Sequence, residues 1–112
     1  MRKILVAWQA LQEQIETRGI QRDDVLNDTF TQWAITTPLY NIGEQTNNIS
    51  RELQAQYLDI PWKKVAGLRH RLVHHYEGTN WEIIVTILFE SMPEYIQGIE
   101  RVLNEESVDE ST

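Results

Sequence analysis

The apolar residues of this chain recur at helical spacing, and glycines and prolines cut that pattern into short lengths. Ile4, Trp8, Leu11 and Ile15 follow one another at steps of four, three and four, which sets them on one stripe of an amphipathic helix. Gly19 after Thr17–Arg18 is a suitable C-terminal stop. Asp23–Asp24 supply N-terminal carboxylates to a second helix carrying Leu26, Phe30 and Trp33. Pro38 is expected to break or kink that helix, because it has no N–H and crowds the preceding turn. Ile42, Ile49 and Leu53 then lie on one side of a resumed helical segment. Asp59 and Pro61 suit the start of another helix. Gly78 interrupts it, and Thr79-Asn80-Trp81-Glu82 has the spacing of a capping box ahead of Trp81, Val85, Leu88 and Met92. Ser91-Met92-Pro93-Glu94 repeats that spacing and predicts a break before a last helix with Ile96, Ile99 and Leu103. No strand alternation and no internal repeat accompany this pattern. The expectation is an all-α helical bundle of four long helices plus a short C-terminal one, with the four Trp in its core.

A chain of 112 residues suits a single domain able to bury roughly two thirds of its unfolded surface, so it needs no covalent staples. It has no cysteine, which excludes disulfides and thiolate metal sites. The opening "MRKILVAWQ" is basic and then apolar, but the apolar run is too short for a targeting segment. No run approaches the roughly 20 apolar residues of a membrane span. A soluble, cytoplasmic protein is expected, with no membrane partner. Residues 1–104 read as the helical domain, and 105–112 as an acidic, flexible tail.

The net charge is −7, which argues against indiscriminate nucleic-acid binding. Yet Lys63, Lys64, Arg69 and Arg71 gather with all three histidines, His70, His74 and His75, inside 13 positions. Screening over about 8 Å lets such a patch act independently of distant carboxylates. Three chemistries fit these residue types. Histidine with arginine suits metal-free RNA cleavage: imidazole moves protons near neutral pH, and guanidinium stabilises charge on a phosphate. His70 and His74, one helical turn apart, have the spacing of metal ligands, although a third ligand would have to come from an unplaced carboxylate. The stretch also suits a solvated cationic face that docks an acidic partner. On an ideal helix Arg69 and Tyr76 are nearly in line, whereas His74 stands about 140° from Arg69. Spacing leaves the three open.

The order Arg69-His70-Arg71-Leu72-Val73-His74-His75-Tyr76 resembles the Arg-(polar)-x-x-x-His-x-Tyr signature of the HepT-like branch of the HEPN family. The resemblance extends through "IGEQTNNIS" (42–50), "IPWKKVAGLR" (60–69) and "WEIIVTILFESMPEYIQGIERVL" (81–103). It implies an all-α, HEPN-like ribonuclease toxin that works without a metal or other cofactor, usually as a homodimer with two motifs around one cleft. It further implies a minimal nucleotidyltransferase antitoxin, able to join it in a larger hetero-oligomer, that transfers AMP to the motif tyrosine. Carried onto this chain, Arg69 and His74 become the catalytic pair, His70 and Arg71 support them, and Tyr76 becomes the AMP acceptor. Lys63 and Lys64 would add RNA contacts. The alternative in another class is a non-catalytic module of the same fold that docks a nucleotidyltransferase or binds nucleotide or RNA.

Overall fold

The computed structural model describes residues 1–73 and 78–106, apart from the side chain of residue 73, and every described element is helical. α1 is Arg2–Arg18, α2 Arg22–Asn27, α3 Thr29–Asn47, α4 Arg51–Gln56 and α5 Trp62–Val73. α6, Trp81–Thr86, continues through a π-helical turn at Ile87–Ser91 into α7, Met92–Glu105. Four long elements therefore form the bundle: α1, α3, α5 and the α6–α7 run. Short α2 and α4 connect them.

Local chemistry accounts for several of these ends. Gly19 closes α1 at φ 63°, a left-handed conformation that a side chain disfavours. The helix expected across residues 23–33 is instead two helices. Asp28 takes extended backbone angles, and its carboxylate accepts from Thr31 N–H at 2.9 Å and Thr31 O–H at 2.7 Å. These bonds cap α3 and hold the Asp28 carboxyl below its ordinary pKa, the side-chain bond contributing most.

Of the break or kink expected at Pro38, the break does not occur: α3 runs through it. A proline inside a helix costs about 3 kcal/mol. The same helix buries Ile35, Leu39 and Ile42 completely or nearly so, each contributing about 1.5–3 kcal/mol. Packing outweighs the local penalty. The boundary expected near Ser91 falls in the π turn, where Met92 N–H donates to Ile87 O. Ser91 is buried and makes no capping bond, so the turn replaces the expected cap. Pro93 follows two residues after the turn and has no N–H to give to the carbonyl four residues before it. At the start of α6, Asn80 rather than Thr79 caps: its side chain accepts from Glu82 N–H at 3.1 Å and Ile83 N–H at 3.2 Å.

The core is the meeting of the apolar stripes, with Val65, Leu68, Leu88, Met92, Tyr95 and Ile99 among its most buried members. Tyr95 and Thr46 share a buried hydroxyl–hydroxyl bond, and Thr46 donates onward to Ile42 O at 2.8 Å. Trp62 packs edge-on against Tyr95 at 5.9 Å and donates from Nε1 to Tyr57 O at 2.9 Å. Trp8 and Trp81 are half-buried, but Trp33 is exposed, so the tryptophans are not all core residues. The far end of α7 is tied to the α4–α5 connection. Arg101 Nη2 lies 2.9 Å from both Asp59 oxygens, and the Tyr57 hydroxyl donates to Glu105 at 3.0 Å and Glu106 at 2.9 Å.

Candidate active site

α3 packs more extensively against α5 than any other two elements pack together, and one glycine sets their separation. A Cβ on Gly43 would sit 2.6 Å from Arg69 N, 3.1 Å from Leu68 Cβ and 3.2 Å from Val65 O. Two of those neighbours are backbone, so only glycine fits without moving a helix. The residue after this contact, Glu44, comes directly beside the outward side of α5. Its Oε1 lies 2.6 Å from Arg69 Nε, an ion pair rather than an aligned hydrogen bond. Gly-Glu at 43–44 thus performs two tasks in sequence: close approach, then charge pairing.

Tyr40 stands one turn before Glu44 on α3 and lines the same pocket as Arg69. The neighbouring Tyr40 hydroxyl, followed by the Glu44 charge, holds the guanidinium pKa above its ordinary value, with burial opposing. Arginine is charged at any working pH, so the consequence is positional. About half of the Arg69 side chain remains exposed (48%), and Glu44 is exposed to 41%, so the pair is solvent-screened. The arginine is paired with Glu44 of α3 while its charge still faces a pocket that Tyr40 also lines.

That pocket has a volume of about 450 Å³ and is lined by Tyr40, Asn47, Lys63, Ala66, Gly67, Arg69 and His70. Lys63, Gly67 and His70 lie on one face of α5, at helical steps of four and three. The small Gly67 side leaves the notch between the two flanking groups. Lys64 and Arg71 line a second pocket of about 390 Å³ on the other side of Gly67, together with Lys63, Asn80 and Glu82. The structure therefore brings together Arg69, His70 and Lys63, and sets Lys64 and Arg71 along an adjoining groove. His74, His75 and Tyr76 lie outside the described residues. Among the described residues, no group of three or more His, Cys, Asp or Glu is arranged to hold a metal ion. Nor is any described helix long and apolar enough to cross a membrane.

Sequence reasoning missed Tyr40 and Asn47. Their only advance signal was spacing, since Tyr40, Glu44 and Asn47 share one face of α3. Which face meets Arg69 depends on tertiary packing. Chemically, the assembled pocket offers an anchored planar cation, an ammonium and an imidazole, which suits a phosphate group with a proton to be moved nearby.

Comparison with known proteins agrees with this chemistry. The chain is 37% identical over 97 residues to "Putative RNase MJ0127" of Methanocaldococcus jannaschii, covering 86% of this chain and 80% of that one. It is 32% identical over 89 residues to "Putative RNase TTE0752" of Caldanaerobacter subterraneus subsp. tengcongensis, covering 80% of each. It is 34% identical over 77 residues to "Probable ribonuclease HepT" of Thermococcus cleftensis, covering 69% of this chain and 70% of that one. No solved structure matches it. The family model described as "Ribonuclease HepT-like" matches residues 4–102, nearly the whole helical bundle, and the chain belongs to that family.

Proposed function

We propose that the protein is a metal-independent endoribonuclease, the toxin half of a toxin–antitoxin pair. The observation that carries this reading is Arg69, paired with Glu44 and set with Tyr40, His70 and Lys63 around a cationic pocket, in a chain of the HepT-like family. Arg69 binds the scissile phosphate through guanidinium N–H groups and stabilises the charge that accumulates on it. His74 acts as general base or acid. In the forward step a base takes the ribose 2′-OH proton, the 2′-oxygen bonds to phosphorus, and the bond to the 5′-oxygen breaks as that oxygen gains a proton. The products are a 2′,3′-cyclic phosphate and a free 5′-hydroxyl. His70 and Arg71 support the pair, and Lys63 and Lys64 hold flanking phosphates.

Control follows from the same chemistry. AMP transfer to Tyr76 by a nucleotidyltransferase antitoxin adds bulk and negative charge beside a site built for a phosphate, and so excludes RNA. A homodimer sets two motifs around one cleft. The decisive experiment measures cleavage of an oligoribonucleotide by purified protein in excess chelator. Wild type should cut, while Arg69→Ala and His74→Ala should each lose about 10²-fold or more. Full activity in Arg69→Ala, or activity abolished by chelation and restored by a metal, would sink the mechanism. Intact-protein mass should rise in AMP units on the Tyr76 peptide when the antitoxin is co-produced, and Tyr76→Phe should stay toxic beside it.

A further inference from the structure

We infer that Phe30 and Trp33 form a stacking platform for an unpaired base of the RNA strand whose phosphate occupies the Arg69 pocket. The inference rests on the ribonuclease reading and specifies its substrate as single-stranded. Phe30 is 75% exposed and Trp33 51%, and their rings meet edge to face at 5.4 Å. Two large aromatic side chains in water need a reason, because each leaves apolar area unburied.

Their position supplies one. Trp33, Tyr40 and Asn47 are spaced by seven residues, so each lies within about 20° of the next around α3. Phe30 sits one turn before Trp33. The aromatic pair and the pocket-lining residues thus share one stripe of a single helix. Trp33 precedes Tyr40 by about 10 Å along the axis, the scale of a neighbouring nucleotide rather than a remote site.

A cationic groove for the backbone beside aromatic rings for the bases is the combination that binds single-stranded nucleic acid. The edge-to-face contact holds the rings in a fixed relation, so little freedom is lost when a base arrives. Asp28 lies close by in sequence, but its carboxylate is engaged by Thr31 at the N-terminus of α3. A duplex buries its base faces by stacking and offers nothing to these rings. A protein partner fits less well. The two rings expose only part of the 150–250 Å² that such side chains carry, against roughly 800 Å² per partner in a stable complex. The other large exposed apolar residues among those described, Val6 and Leu58, lie on α1 and in the α4–α5 connection, and polar Thr37 follows Trp33 one turn later along α3.

The test compares wild type, Phe30→Ala, Trp33→Ala and Trp33→Phe on a labelled single-stranded oligoribonucleotide, alone and annealed to its complement. With the thermal midpoint unchanged, Trp33→Ala should raise KM roughly 10-fold or more while kcat stays nearly constant. Trp33→Phe should restore most of the loss, and the annealed oligonucleotide should be a poor substrate for all four proteins. Binding is read separately from cleavage with a 2′-O-methyl oligonucleotide, which cannot be cut by 2′-hydroxyl attack. It should quench the fluorescence assigned to Trp33 from the difference between wild type and Trp33→Phe. Quenching without any cleavage of the natural oligonucleotide would uphold the platform and reject the ribonuclease reading. Unchanged KM and no quenching would overturn the platform, and a loss of self-association in Trp33→Ala with unchanged KM would assign the rings to a second copy instead.

Discussion

Alanine at Gly43 and alanine at Gly67 are the same chemical change in two helices that pack together, yet the structure requires opposite results. In a helix interior, alanine is favoured over glycine by about 0.8–1.0 kcal/mol. At Gly67 nothing opposes that gain, since the nearest relevant atom to the new methyl is Arg71 Nε at 3.9 Å. Gly67→Ala should therefore stabilise the protein by about 0.5–1 kcal/mol. At Gly43 the methyl would lie 2.6 Å from a backbone nitrogen of α5, and backbone cannot rotate away as a side-chain tip can. Overpacking of this kind costs about 1–3 kcal/mol and at times more. With the helix preference subtracted from the upper part of that range, Gly43→Ala should destabilise by about 2 kcal/mol. For a chain of 112 residues, at about 2.1 cal/mol/K per residue, that lowers Tm by about 8 °C. Urea unfolding followed by circular dichroism, at one protein concentration, reads both signs. Gly43→Ala as stable as wild type, or Gly67→Ala destabilised to the same degree, would refute the view that this glycine fixes the α3–α5 distance.

Tyr40→Phe removes a hydroxyl that lines the pocket beside Arg69 but leaves the Glu44 ion pair. On the proposed mechanism RNA cleavage should fall several-fold, mainly in kcat, with Tm nearly unchanged; equal kcat would show that Tyr40 does not position the arginine. Thr46→Val takes the acceptor from the buried Tyr95 hydroxyl, and leaving it unsatisfied should cost about 1–3 kcal/mol. Adding Tyr95→Phe should recover part of that loss, a coupling visible in a double-mutant cycle of urea unfolding. The Asp28 carboxyl titrates lower when folded than when unfolded, so its capping contribution is present above the ordinary carboxylate pKa and lost as pH falls through the lower folded value. The stability gap between wild type and Asp28→Asn should accordingly be wider at pH 6 than at pH 2.5, and a gap that widens on acidification would contradict the cap.

Much of the bundle was legible because its signals are local. The Ile4–Leu11 spacing, the Gly19 stop and the Pro61 start each depend on a few neighbouring residues. The errors have a common cause. Pro38 looked like a break because its penalty is local, while the burial of Ile35, Leu39 and Ile42 that outweighs it is not. Asp28 and Asn80, rather than their neighbours, became caps because the chain chose among adjacent polar residues according to where each helix had to start. Trp33 was assigned to the core by residue type, although its face of α3 looks outward.

By itself the sequence determined an all-helical chain and the place where its cations and histidines collect, because helical period and local charge need no knowledge of neighbours in space. Only the tertiary structure decided which residues complete the site. Tyr40, Glu44 and Asn47 reach the Arg69 side of α5 because Gly43 lets the two helices approach, and that approach depends on the packing of the whole core. The same packing turned Phe30 and Trp33 out to solvent on the stripe that leads into the pocket.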